Sequence, residues 1–369
     1  MTSPLPDTMA AVLLTGHGGL DKLVYRTDVP VPKPGPGDVI VKVGACGLNN
    51  TDVNTRTGWY SPQVTDGITD EGGSQGFDEA DDNCGTWGSG SLTFPRIQGA
   101  DVAGSIVAVG DGVSTSRIGE RVIIDPWLLG HGDWQNPEHS DYFGSECDGG
   151  FAEYTRVRSA NALSITTDQT DAELATYPCA YTTAENLVAR TSLRPGETVV
   201  IAGASGGVGS AAIQLCRLRG ARVIGIASQA KADLLCELGA ETIIDRNTDR
   251  LGDAIREVAK GPVDVALDVV GGETSLSLID ALRQGGRYSS SGCISGPIVS
   301  FDLRQLIYKD LQLTGATICP PGTMARITRL IETGNLRPLL AATYPLEKLA
   351  DAQDAFMSKR HVGNIVVVP

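Results

Sequence analysis

The densest chemical signal in this 369-residue chain is the turn Gly203-Ala204-Ser205-Gly206-Gly207-Val208-Gly209. Glycine at this density lets a ligand meet bare backbone N–H groups, and N–H groups that open a helix favour an anion. The turn follows an apolar β-branched run, Thr198-Val199-Val200-Ile201-Ala202. It precedes Ala211, Ala212, Leu215 and Leu218 at helical spacing. A strand, a glycine turn and a helix in that order make a pyrophosphate cradle. A dinucleotide is therefore expected against Gly203, Ser205, Gly206, Gly207 and Val208. Ala204 stands where the commonest fingerprint has its first glycine, and an ordinary strand-to-helix turn can carry a similar string. The next strand, Ala221 to Ala227, lies at the distance the fingerprint requires, which favours the dinucleotide.

The end of that second strand bears on cofactor choice. Enzymes that use NAD place an Asp or Glu there for the ribose 2′-hydroxyl. Here the chain reads Ala227-Ser228-Gln229-Ala230-Lys231, with no acid before Asp233. Ser228 leaves room for a 2′-phosphate, and Lys231 and Arg246 supply charge, so NADPH is expected. The alternative is that both cations are solvated surface residues.

The surrounding elements predict an α/β chain with two domains. From Thr198 strands and helices alternate through Ile243–Asp245, Asp264–Val270, Gly286–Ser289 and Leu311–Gly315, the pattern of a six-stranded, doubly wound parallel sheet. Before it, Met9–Leu14, Asp38–Val43, Ile106–Val109 and Arg121–Ile124 read as strands, and helices are expected between Tyr154 and the glycine turn. After Cys319 come a helix, a turn at Tyr344-Pro345-Leu346 and a last strand, Ile365–Val368. The expected division is 1–165 as a mainly-β domain, 166–316 as the nucleotide-binding domain, and 317–369 as a return to the first. Residues 61–94 hold Asp66, Asp70, Glu71, Asp78, Glu79, Asp81 and Asp82 but no Lys or Arg. So long a stretch between elements is a lid or a loosely ordered loop.

Composition narrows the function classes. A hydrophobic fraction of 41% is that of a water-soluble globular protein, and a net charge of −14 argues against nucleic acid or an anionic membrane as partner. The polar start Met1-Thr2-Ser3-Pro4-Leu5-Pro6 lacks the pattern of a secretory leader, which points to the cytoplasm. Eight cysteines, with no C-x-x-C pair among them, suggest reduced core residues.

GLNNTD (47–52), RIQGADVAG (96–104), GERV (119–122), DGGFAEY (148–154), GASGGVG (203–209), DVVGG (268–272), GGRY (285–288) and HVGNIVVVP (361–369) together resemble the medium-chain dehydrogenase/reductase superfamily. The resemblance spans almost the whole chain. It implies a GroES-like catalytic domain with a Rossmann domain inserted, the cleft lying between them, and a homodimer joined edge to edge near Leu311–Gly315.

The departures from the family pattern concern metal. Zinc-dependent alcohol dehydrogenases of the superfamily carry a cysteine ligand where this chain has Asn49. Their histidine ligand falls at Ala100 of Gly99-Ala100-Asp101, and only the third ligand position keeps its residue, Cys179. An amide, a methyl group and one thiol do not make a zinc site. The cysteines of the structural zinc lobe are also missing between Pro126 and Gly149. A substitute set of His131, His139 and Cys147 fits no zinc spacing and reads as loop residues. No metal is expected.

GLNNTD resembles the quinone oxidoreductase version of the family. The run from Gly47 to Tyr60 resembles mitochondrial enoyl reductases, in which the tyrosine after the glycine is thought to donate a proton. That makes Tyr60 the candidate donor, since a phenol stays protonated at neutral pH. Otherwise it anchors the base of the loop. Asn49 could orient a carbonyl or merely shape a turn. Thr51 lies where zinc enzymes place a relay hydroxyl, yet a threonine there also caps a helix. Thr183 matches a family position against the nicotinamide. Gly292 and Cys293 lie near where the ring should rest, and Val270 is expected in its wall; all could equally be packing residues. The implied activity is NADPH-dependent hydride transfer to an activated C=C bond of an enone, enal or quinone. A zinc-independent ketone or aldehyde reductase and a non-catalytic nucleotide-binding protein are the alternatives. If the acidic insertion overhangs the cleft, its field repels a polyphosphorylated thioester and favours a neutral or cationic small molecule.

Overall fold

The computed structural model describes residues 5–68, 70–80, 92–129 and 140–369. Its organising element is the apolar strand Thr198–Ala202, whose Val199 to Ala202 are buried between neighbours on both sides. Val199 pairs in parallel with Val223 on one side and Val265 on the other. Adding Thr242–Asp245, Leu282–Ser290 and Gln312–Gly315 makes a six-stranded sheet. Numbered by sequence, the spatial order is third, second, first, fourth, fifth, sixth, and every pairing is parallel. This is the doubly wound order, which opens a crevice where the winding reverses beside the first strand. Gln312–Gly315 is left at the sheet's edge.

The second sheet is built around Asp38–Gly47, which pairs antiparallel with Asp101–Val109, with Tyr154–Arg158 and with Asn364–Val368. The register sets Gly47 opposite Asp101. A Cβ at Gly47 would lie 2.2 Å from the carbonyl oxygen of Ala175, so glycine is required for this close approach. Leu340–Pro345 extends the same sheet beyond Asn364–Val368, and Arg121–Ile124 and Ala162–Ser164 extend it beyond Asp101–Val109.

Three features add to the sequence expectation. The strand expected at Met9–Leu14 forms as Thr8–Leu14 and pairs with a further strand, Leu23–Pro30, in a separate hairpin. Two strands, Tyr154–Arg158 and Ala162–Ser164, precede the helices that lead to the glycine turn. A short ribbon pairs Trp127–Leu129 with Ser140–Tyr142. None of the three carries a long alternating pattern, so their pairing is set by neighbours rather than by local sequence.

The first part of the acidic insertion is fixed. The guanidinium of Arg56, fully buried, donates to Gly18 O at 2.7 Å, to Gln353 Oε1 at 2.8 Å and to Gly73 O in the insertion's helix Asp70–Gln75. Phe77 N donates to Thr57 O at 3.1 Å. Asp81 and Asp82 lie outside the described residues. Among those residues no helix is long and apolar enough to cross a membrane.

Candidate active site

The crevice has two lobes that share Asn50, Gly207, Val269, Ile294, Phe356 and Gly363. The first, of about 360 Å³, is lined by Gly203, Ser205, Gly206, Gly207, Ser228, Lys231, Arg246 and Val270. Gly206 caps the helix Gly207–Leu218, whose first N–H groups therefore open at the lobe. Gly203 holds φ +66°, and a Cβ on Gly209 would lie 2.2 Å from Gly203 O, so the turn closes only with glycine at that position. A Cβ on Gly206 would meet nothing nearer than Gly203 O at 3.6 Å; the space beside it is open for a ligand.

Charge in this lobe is of one sign. Lys231 Nζ donates to the carbonyls of Lys359 and His361, each at 2.8 Å. Burial and then the Arg246 charge lower its pKa. Lys359 Nζ donates to Asn50 Oδ1 at 2.9 Å and sits over the Phe356 ring at 3.8 Å. Burial, then Lys359 and Lys231, push His361 down to about 4, so it is neutral at physiological pH. No Asp or Glu lines the lobe among the described residues. A glycine cradle, a helix N-terminus and three cationic side chains fit the phosphates of a dinucleotide.

The second lobe, of about 550 Å³, is lined by Asn49, Thr51 and Tyr60 together with Thr183, Val208, Gly292 and Cys293. Among the described residues none that lines it is charged. The helix Asn50–Thr57 positions three of them: Asn49 is its cap, its N–H donating to Asp52 Oδ2 at 2.8 Å, and Thr51 and Asn54 follow one turn apart. Gly58 ends the helix in the left-handed region at φ 75°, and the chain turns to present Trp59 and Tyr60. The Tyr60 hydroxyl donates to Thr51 Oγ1 at 3.3 Å and accepts from Asn54 Nδ2 at 3.4 Å. Burial pushes this phenol up to about 12, so it holds its proton at neutral pH.

Beneath Asn49 lie two buried carboxyls. Burial raises Asp52 to about 7. It raises Asp101 to about 8, against the opposing pull of the Asn49 amide and the Cys179 N–H. Asp101 Oδ1 accepts from Cys179 N at 2.7 Å.

Of the candidate positions for a metal, Asn49 offers an amide, Ala100 a methyl group and Cys179 a thiol that burial holds well above its usual range. Among the described residues no group of three His, Cys, Asp or Glu side chains could hold a metal ion. His131 and His139 lie outside those residues. The donor set present does not fit zinc.

One expectation shifts. Val270 lines the phosphate lobe, not the lobe of Tyr60, while its neighbour Val269 lines both. The cause is the bend after the strand Val263–Asp268, where the Asp268 carboxylate accepts from Val270 N at 2.7 Å. Sequence reasoning also missed Asn54, Trp127, Tyr142 and Asn364, which line the second lobe. Trp127 and Tyr142 face each other edge to face at 4.9 Å across the short ribbon. Asn54 alone had a legible signal, its three-residue spacing from Thr51.

A crevice between a doubly wound sheet and a mainly-β domain, with a dinucleotide cradle opening into a proton-bearing lobe, defines a two-domain oxidoreductase. Residues 35–167 match the family model of the alcohol dehydrogenase GroES-like domain, and residues 207–333 that of the zinc-binding dehydrogenase. The chain belongs to the medium-chain dehydrogenase/reductase superfamily. It is 30% identical to the synaptic vesicle membrane protein VAT-1 homolog of Rattus norvegicus, over 98% of this chain and 84% of that one. Identity to the quinone oxidoreductase of Lama guanicoe is 28%, over 98% and 97%. Among solved structures, a candidate alcohol dehydrogenase from Sinorhizobium meliloti 1021 superposes with a TM-score of 0.88 at 45% identity, covering 99% of this chain and 98% of that one. The crotonyl-CoA carboxylase/reductase AntE, a V350A variant in complex with NADP, superposes with a TM-score of 0.83 at 25% identity, over 99% and 96%.

Proposed function

We propose that this protein is a zinc-independent, NADPH-dependent reductase that transfers hydride to the activated C=C bond of a small enone, enal or quinone. The observation that carries it is the meeting of Tyr60, Asn49 and Thr51 with Thr183, Gly292 and Cys293 around one uncharged lobe. Gly203, Ser205, Gly206 and Gly207 would hold the pyrophosphate, and Ser228, Lys231 and Arg246 the 2′-phosphate. Val208, Thr183, Gly292 and Cys293 would flank the ring. The bound dinucleotide supplies the hydride.

Hydride arriving at the β-carbon of a conjugated carbonyl leaves negative charge on the carbonyl oxygen, and hydrogen-bond donors can stabilise it there. Asn49 Nδ2, which lines the lobe, is one such donor. The Tyr60 hydroxyl is the other and carries the proton that completes the reduction. Thr51 orients it as acceptor, and Asn54 donates to the same oxygen, favouring the phenolate left behind. A lobe without charged side chains among the described residues suits a neutral substrate, as does an insertion, 61–94, that holds no Lys or Arg. Cytoplasmic placement and a homodimer built on the sheet edge Gln312–Gly315 complete the proposal.

A ketone or aldehyde reductase is the second reading. What favours it is the same phenol, raised to about 12, which can protonate an alkoxide as readily as an enolate. The product formed from NADPH and an α,β-unsaturated ketone separates the two. A saturated ketone supports reduction of C=C, and an allylic alcohol sinks it.

A further inference from the structure

Two walls of the Tyr60 lobe have to meet one substrate. Tyr60 stands on the mainly-β domain, whereas Gly292 and Cys293 belong to the loop after the strand Leu282–Ser290 of the doubly wound sheet. A short run of chain joins the two. Trp59 Nε1, beside Tyr60 in sequence, donates to Asp66 O at 2.9 Å. Two residues on, Ile68 N donates at 2.8 Å to the carbonyl of Ile294, next to Cys293. The side chain of Ile68 packs against the core of the mainly-β domain, so its side chain and its N–H hold different domains. Gly67 comes so near the loop that a Cβ there would sit 2.7 Å from Ile294 O and 2.8 Å from the carbonyl carbon of Ser295. Only glycine allows that approach.

The same loop is seated on its own domain. Ser291 N donates to Asp268 O at 3.1 Å and Ser295 N to Val270 O at 2.8 Å. A Cβ added to Gly271 would lie 2.6 Å from Cys293 Cα. The loop thus has two supports, the turn 268–271 within its own domain and residues 67–68 from the other. Backbone hydrogen bonds on both supports mark a fixed element.

We propose that residues 66–68 are a bridge that sets the separation between the Tyr60 hydroxyl and the nicotinamide ring. Gly67 and Ile68 are positioning residues, and through that separation they select which double bond of a conjugated carbonyl is reduced. The proposal rests on the Tyr60 lobe being the substrate site of an NADPH-dependent reductase. There the carbonyl oxygen is held at the phenol and the hydride leaves the ring. The carbonyl carbon is bonded directly to that oxygen, whereas the β-carbon lies beyond the α-carbon. Transfer needs the reacting atoms about 3–3.5 Å apart, so a fixed separation offers hydride to one of these carbons and not the other. A separation free to vary offers it to both.

The ratio of saturated ketone to allylic alcohol, formed from methyl propenyl ketone and NADPH and read by gas chromatography, tests the bridge. That ratio does not depend on how much of a variant is folded, so a merely structural loss leaves it unmoved. Ile68→Pro removes the donor to Ile294, and Gly67→Ala puts a methyl group into the contact with Ile294 O. Each is expected to move the ratio at least about fivefold from native while the Kd for NADPH stays within about threefold. Thr65→Ala, exposed on the same segment, is expected to keep the native ratio. Should both bridge variants fail to fold, Trp59→Phe makes the same test, since it keeps a ring and removes the donor to Asp66 O. A ratio that moves less than about fivefold in the folded variants overturns the bridge. An allylic alcohol as the native product sinks the C=C reading and leaves the bridge to be decided by the same shift. If NADPH binds and nothing turns over, the reductase reading fails and the fluorescence anisotropy of the bound nicotinamide decides. A fall in Ile68→Pro and Gly67→Ala but not in Thr65→Ala keeps the bridge, and no fall overturns it. A chain that binds no NADPH overturns both.

Discussion

The side-chain nitrogen of Asn54 stands 3.4 Å from the hydroxyl oxygen of Tyr60, and the same oxygen stands 3.3 Å from Thr51 Oγ1. Three residues apart on the helix Asn50–Thr57, Thr51 and Asn54 share a face. The phenol therefore has an acceptor that aims its proton and a donor that remains when the proton has gone. A tyrosine that only anchored the loop would have no use for the second contact.

Removing the hydroxyl by Tyr60→Phe is expected to lower kcat about 100-fold, with the KM for an enone changed less than about threefold. Asn54→Leu, which keeps the phenol and removes its donor, is expected to cost about tenfold in kcat. Single-turnover NADPH oxidation in stopped flow measures both. Native rates in Tyr60→Phe would remove the tyrosine from the chemistry.

Stability should fall as pH rises through neutrality. Burial raises Asp52 to about 7 and Asp101 to about 8 in the folded state, whereas an unfolded aspartate titrates near 4. Between those values the folded state binds more protons than the unfolded one, so the stabilisation present at low pH is lost as pH climbs through 7 and 8. Thermal melts from pH 5 to 9 are expected to show a declining Tm, with the decline shallower in Asp101→Asn. A variant as steep as the native protein would take Asp101 out of the effect.

Arg246 should matter for NADPH and little for NADH. Lys231 already spends its ammonium protons on the carbonyls of Lys359 and His361, which leaves Arg246 the freer of the two expected cations. Arg246→Ala is expected to raise the KM for NADPH about tenfold and the KM for NADH less than about twofold. Parallel rises for the two cofactors would move the 2′-phosphate site elsewhere.

The dinucleotide half was legible because its signals are local. The run Thr198–Ala202 and the glycines after it specify strand and cradle through their own backbones, and the six strands stand in the expected order. The other half was only partly legible. Asn49, Thr51 and Tyr60 were found through a linear motif, but Trp127 and Tyr142 reach the lobe from a ribbon whose strands are held by each other. Asp101 was noticed for the histidine missing beside it. Its burial under Asn49 depends on a register with Gly47 that only the sheet reveals.

The sheet edge Gln312–Gly315 should carry a second copy. Beside it the helix Leu303–Tyr308 exposes Leu303, Ile307 and Tyr308, the last 76% open to solvent, and Leu313 on the strand itself is exposed. An unpaired strand flanked by apolar side chains is a pairing surface. Sedimentation is expected to give a dimer for the native protein and a monomer for Ile307→Glu/Tyr308→Glu. A native monomer would refute the homodimer.

The pairing of Asp38–Gly47 with Asn364–Val368 joins segments more than three hundred residues apart, with the whole parallel sheet between them. On a ribosome, the early strand emerges long before this partner exists. The inner domain, whose contacts are closer in sequence, has time to form first and to bring the two ends of the outer sheet near each other. The lobe of Tyr60 is then expected to assemble last, against a glycine turn already in place. Gly363 N donates to Ser205 O at 3.1 Å, so the residue that leads into the late strand is tied to the glycine turn itself.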